Sequence, residues 1–98
     1  MSNLAHTQSP QTIDTCTHIL PAAFELDRER IAREDRTFRA LFANSKAKFA
    51  QIDDLVASMD EAGVDVSIAA GFGWSNPEIA REANDYNLEA ARLHPERI

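Results

Sequence analysis

The chain has 98 residues, 44% of them hydrophobic and 27% charged, and a net charge of −6. That is room for one small globular domain, with no electrostatic footprint for nucleic acid or an anionic membrane surface. A single cysteine excludes an intramolecular disulfide and suits a reducing, cytoplasmic setting.

No apolar run approaches the length of a membrane span. The first twelve residues have neither the positive nor the apolar region of a secretory signal. Residues 1–11 are polar and are expected to form a loose tail ahead of one domain over residues 12–98.

The first strand is expected at Thr12 to His18, ended by Ile19-Leu20-Pro21. Period two puts Asp14, Cys16 and His18 on one face and Thr15 and Thr17 on the other. A helix follows from Asp27 to Ala43, with Ile31, Phe38, Leu41 and Phe42 as a narrow apolar stripe and a break near Glu34-Asp35. Its arginines, Arg28 to Arg39, alternate with Asp27, Glu29, Glu34 and Asp35, the pattern of a solvated face laced with ion pairs. The next helix, Ile52 to Ala62, carries Ile52, Leu55, Val56 and Met59 at amphipathic spacing. Gly63 stands where a left-handed residue ends a helix.

A second strand, Val64 to Ala70, is almost continuously apolar, as in a parallel strand covered on both faces. A last helix begins at Asn76-Pro77-Glu78, where an N-cap, a proline at the first helical position and an acid at the positive dipole end coincide. Ile79, Ala83, Tyr86, Ala90 and Leu93 continue it, and it should stop before Pro95. The alternation predicts an α/β fold with two parallel strands and about three helices. Two such strands cannot complete a sheet, so the expected architecture is the N-terminal portion of a larger barrel.

The run Asp14-Thr15-Cys16-Thr17-His18 is one substitution from Asp-x-His-x-His. With Asp54-Leu55, Met59-Asp60-Glu61-Ala62-Gly63-Val64-Asp65, Asn84-Asp85-Tyr86 and the stretch from Ala90 to Arg97, it resembles amidohydrolase-related metal-dependent hydrolases and decarboxylases. The branch it resembles contains the aminocarboxymuconate-semialdehyde and resorcylate decarboxylases. The resemblance covers about residues 12–98. It implies a (β/α)₈ TIM barrel with a divalent metal at the mouth formed by the C-terminal strand ends, and a small carboxylated substrate. His18 matches the second histidine of that family's first-strand motif, which implies a metal ligand, and Cys16 stands in the place of the first. The family's other histidines and late aspartate have no counterpart in these 98 residues, so the chain by itself holds at most a fragment of a site and is expected to be inactive.

Each of these residues also has a plainer reading. His18 is either a ligand or a hydrogen-bonded structural histidine. Cys16 is a thiolate ligand, a small buried hydrophobe, or the mark of a relative that lost its metal; as a ligand its softness favours zinc over manganese or magnesium. Asp14 is expected to make structural hydrogen bonds. The loop Gly71-Phe72-Gly73-Trp74-Ser75-Asn76 lacks the third glycine of a dinucleotide site. Phe72 and Trp74 either line a substrate pocket or pack for area. Asn84 and Tyr86 read as packing and capping groups.

The function expected is therefore a metal-dependent hydrolase or non-oxidative decarboxylase, with zinc as cofactor and a small molecule as partner. Nucleic-acid and membrane partners are excluded, and a homo-oligomer is left open. The alternative is a non-catalytic fragment or metal-less relative acting as an interaction module.

Overall fold

The computed structural model describes residues 11–42, 44 and 46–98. The expected tail therefore lies, apart from Gln11, outside the described residues. Among the described residues the fold is mixed α/β, with two parallel strands and five helices. In order these are β1 (Ile13–Thr17), α1 (Ala22–Leu26), α2 (Arg28–Glu34), α3 (Arg36–Phe42), α4 (Ile52–Ala62), β2 (Val66–Ala69) and α5 (Pro77–Leu93).

The expected count of three helices is corrected to five for two local reasons. α1 is five residues long, too short for any periodic signal, and Pro21 gives it an extended entry. The helix expected over residues 27–43 is divided where Asp35 takes an extended backbone. That break falls at the Glu34-Asp35 position read from the sequence. Leu41, placed on the apolar stripe, is instead 44% exposed.

α4 and α5 keep their predicted ends. Gly63 has φ 73° and closes α4, a conformation that costs glycine little and other residues more. Asn76 Oδ1 accepts from the N–H groups of Glu78 and Ile79 at 2.9 and 3.3 Å, satisfying two otherwise orphaned donors of α5. Tyr86 caps another helix than its own: its hydroxyl accepts from Ile52 N–H at 2.9 Å, at the start of α4.

β1 and β2 pair in parallel, Ile13 opposite Val66 and Asp14 opposite Ser67. The register shifts between Asp14 and Thr17, which lies opposite Ala69. Val66 and Ala70 donate their N–H groups toward β1, to Thr12 O and Thr17 O. By alternation Ser67 faces the outer edge, and there its N–H meets Arg97 O at 2.8 Å. Arg97 is fixed in turn: its guanidinium donates to Asp65 O at 2.9 Å and Val64 O at 3.1 Å, and pairs with Asp60 at 2.9 Å. The chain leaving α5 is thereby returned to the outer edge of β2.

The core does not lie under the sheet. It gathers Leu20, Phe24, Ile31, Phe38, Phe42, Ile79 and Ala83, with Phe49, Phe72 and Trp74 packed against it. Leu20 and Phe24 follow the C-terminal end of β1, and Phe72 and Trp74 follow that of β2. The apolar mass therefore forms a roof over one end of the strand pair.

Candidate functional site

The register shift in β1 shapes the first half of the site. Cys16 N–H finds its partner in Asp14 Oδ1, at 3.2 Å. The shift leaves one extra residue in β1 and interrupts period two; of the three residues expected on one face, Asp14 instead turns an oxygen back onto the Cys16 N–H. Asp14 makes the structural hydrogen bond expected of it, through one oxygen of its carboxylate.

Cys16 and His18 do come together. Both are exposed, and Cys16 Sγ lies 3.8 Å from His18 Nε2. His18 Nδ1 lies 2.8 Å from Ala70 O. A carbonyl can only accept, so Nδ1 carries the proton, and in the neutral ring Nε2 presents its lone pair toward the thiol. The ring also stacks on Phe72, with centroids 4.1 Å apart and planes at 21°. The imidazole is thus held by a main-chain oxygen at the end of β2 and by an aromatic face in the loop that follows.

That loop belongs to the roof. Phe72 and Trp74 meet edge-on at 5.2 Å; Phe72 also contacts Phe42, and Trp74 contacts Phe24 and Phe38. Pairs of this kind contribute roughly 0.5–1.5 kcal/mol each beyond their buried area. Phe72 and Trp74, read from the sequence as lining a substrate pocket or packing for area, are half-buried and pack against the core, and Phe72 additionally supports His18. Trp74 Nε1 is a buried donor without a hydrogen-bond partner among the described residues.

Asp35 is the site residue that sequence reasoning missed. Read as one acid among a solvated run, it is 0% exposed. Its Oδ1 accepts from Phe38 N–H at 2.9 Å, capping α3, and its Oδ2 accepts from Asn76 N–H at 2.8 Å. Three neighbouring bonds run across the same seam: Arg36 N–H to Ser75 Oγ at 2.8 Å, Thr37 Oγ1 to Gly73 O at 2.7 Å, and Asn76 Nδ2 to Glu34 O at 3.3 Å. Burial pushes the Asp35 carboxyl up, but the N–H groups of Phe38, Asn76, Ser75 and Thr37 outweigh it and hold the group below its ordinary value. The helix break between α2 and α3 is therefore the anchor of the loop carrying Phe72 and Trp74.

The remaining arginines divide by task. Arg28 does not join an ion-pair face: its guanidinium donates to Phe42 O, Asn44 O and Ala47 O at 2.8–3.1 Å and lies over the Phe49 ring at 5.1 Å. Arg30 pairs with Asp27 and Glu34 on the surface, as the charge pattern suggested.

Among the described residues, no three His, Cys, Asp or Glu side chains converge as a metal site, and no helix is long and apolar enough to cross a membrane. The chain matches no family model, no curated protein and no solved structure.

Proposed function

We propose that the chain is the opening segment of a (β/α)₈ metal-dependent hydrolase or non-oxidative decarboxylase acting on a small carboxylated substrate. His18 is its first-strand metal ligand and Cys16 a second donor beside it. The observation that carries the reading is the His18–Ala70 bond. Metal-binding histidines almost always give their second ring N–H to a carbonyl or carboxylate, which fixes the tautomer and aims the other nitrogen. The pair also lies at the C-terminal ends of parallel strands, where barrel enzymes build their sites. The return of Arg97 to the outer edge of β2 is consistent with a sheet that continues on that side.

The donors suit a shared ion. A zinc ion about 2.3 Å from sulfur and about 2.0 Å from nitrogen spans roughly 3.5–3.8 Å between donors, and the observed separation is 3.8 Å. Such an ion, when bound, supplies Lewis acidity toward a substrate oxygen or a bound water. His18 and Cys16 would hold it, Ala70 O and Phe72 would keep the imidazole in line, and the aromatic roof would exclude water from one side.

Cobalt(II) titration of the tag-free protein tests this reading. Weak, chelator-reversible binding with a thiolate charge-transfer band is expected in wild type, with the band lost in Cys16→Ala and binding lost in His18→Gln. Cobalt binding unaffected by His18→Gln would contradict it.

A second reading, an interaction module without catalysis, draws on a different surface. A groove along the outer edge of β2 is lined by Ile68, Leu88, Ala91 and Ile98, with Ile68 51% and Leu88 70% exposed. Concentration-dependent self-association by light scattering, lost in Leu88→Glu, would favour it.

A further inference from the structure

We infer that Thr37 and Asp35 are positioning residues of the site, acting through Phe72 on the His18 ring; the inference rests on reading His18 as a ligand. Residues 70–76 join β2 to α5 and are tied down at both ends. At the near end Ala70 belongs to the sheet: its N–H donates to Thr17 O at 2.8 Å, and its carbonyl accepts from His18 Nδ1 at 2.8 Å. At the far end the loop is tied to the α2–α3 break. Thr37 Oγ1 donates to Gly73 O at 2.7 Å, Ser75 Oγ accepts from Arg36 N–H at 2.8 Å, and Asp35 Oδ2 accepts from Asn76 N–H at 2.8 Å.

Phe72 lies between these anchors, flanked by Gly71 and Gly73. Glycine constrains its own backbone least, and among the described residues nothing lies within 4 Å of where a Gly73 Cβ would stand. Neither local preference nor packing at Gly73 therefore places the Phe72 ring. The helix α3 does so, and grips it twice. Thr37 holds the Gly73 carbonyl beside it, and Phe42, at the other end of that helix, meets the Phe72 ring at 6.0 Å and 74°. Asp35 fixes α3 to the loop, with Oδ1 accepting from Phe38 N–H at 2.9 Å while Oδ2 holds Asn76.

The imidazole thus takes one support from each anchor. Ala70 O, from the sheet, sets which nitrogen carries the proton. A single hydrogen bond fixes a direction but leaves the ring plane to its neighbours. Phe72, stacked at 4.1 Å and 21°, sets that plane and so the line along which Nε2 points. Ligand groups must be held within about 10–20° of productive geometry by the residues behind them, and here that support runs back to α3.

The test is NMR of the His18 ring in the full 98-residue, tag-free protein. In wild type the face of Phe72 should shift the carbon-bound His18 ring protons upfield, and Phe72→Leu should abolish that shift. Thr37→Val, which keeps the shape and removes the hydroxyl, should lose part of it, and Thr37→Ser should restore it. The nitrogen-15 shifts that report the tautomer should stay as in wild type, because Ala70 O is untouched. Tyr86→Phe, a change at the start of α4, should leave the ring protons where they are. Asp35→Ala strands two N–H groups, so Thr37 is the cleaner probe. Cobalt(II) affinity should fall roughly threefold or more in Thr37→Val, on the scale of couplings carried by packed side chains, and return in Thr37→Ser.

Ring protons unmoved by Thr37→Val, or moved as far by Tyr86→Phe, would overturn the inference. So would ring protons that move while cobalt affinity holds. If wild type binds no cobalt through His18, the metal reading fails, and the ring protons still decide whether α3 positions the imidazole.

Discussion

Phe24 and Phe38, in the roof, are 0% exposed, whereas Ile13 and Ile68, in the strand pair, keep 50% and 51% of their surface. The two regions are a few residues apart in the chain and joined at Leu20 and at Phe72, yet they are stabilised differently. The roof is held by burial of apolar area and by edge-on aromatic contacts. The sheet is held by main-chain bonds, the Arg97 staple and one covered position, Ser67, which is 1% exposed. The site lies on the seam, with its donors on the exposed region and its support from the buried one. An accessible pair can be positioned firmly in a small domain when the packing behind it is elsewhere.

The largest expected effect belongs to the roof. Phe38→Ala should cost about 3–5 kcal/mol, the usual range for emptying a buried aromatic site, against a total stability of roughly 5–15 kcal/mol for such a domain. Ile68→Ala should cost no more than about 0.5 kcal/mol, as for a surface position. Urea denaturation of the two variants compares the regions directly. Equal losses would break the comparison.

Asp35→Ala should come next, at about 2–3 kcal/mol, because it strands the N–H groups of Phe38 and Asn76 away from water. The same residue gives the roof a pH dependence. Its folded carboxyl sits below the ordinary value of 3.8, so its contribution is whole above that pH. It is lost as pH falls through the lower, folded value. Acid titration of stability should show a limb below about pH 4 that Asp35→Asn flattens; an unchanged limb would remove Asp35 as the anchor.

Local chemistry was legible in the sequence. Gly63 and Asn76-Pro77 announce helix ends by their own conformational preferences, and the Glu34-Asp35 break showed as an interruption of the apolar stripe. The proximity of Cys16 and His18 also followed from strand spacing. What could not be read depends on distant partners. The importance of Asp35 rests on Asn76, 41 residues away, and the orientation of His18 rests on Ala70, 52 residues away. The register shift beside Asp14 has no residue signature, since neither glycine nor proline marks it. Phe72 and Trp74 were legible as a loop after a strand, but not as part of a roof assembled from four other phenylalanines.

A smaller effect sharpens the link between the roof side and α4. Tyr86→Phe should cost about 1 kcal/mol, the net value of one hydrogen bond, with faster hydrogen exchange concentrated at the Ile52 amide. Uniformly faster exchange would show that Tyr86 acts through packing instead. Smallest of all, Cys16→Ala should change stability by less than about 0.5 kcal/mol, because the thiol is exposed; a larger loss on urea denaturation would place Cys16 in the packing.

The central claim is that His18 is held with Nδ1 protonated toward Ala70 O and Nε2 free toward Cys16. Nitrogen-15 NMR of the imidazole, at a pH where the ring is neutral, tests it most directly. The account predicts a protonated Nδ1 shift and a bare Nε2 shift for His18, with the Nδ1 proton showing a through-hydrogen-bond coupling to the Ala70 carbonyl. A ring protonated on Nε2, or one averaging freely between tautomers, would contradict it.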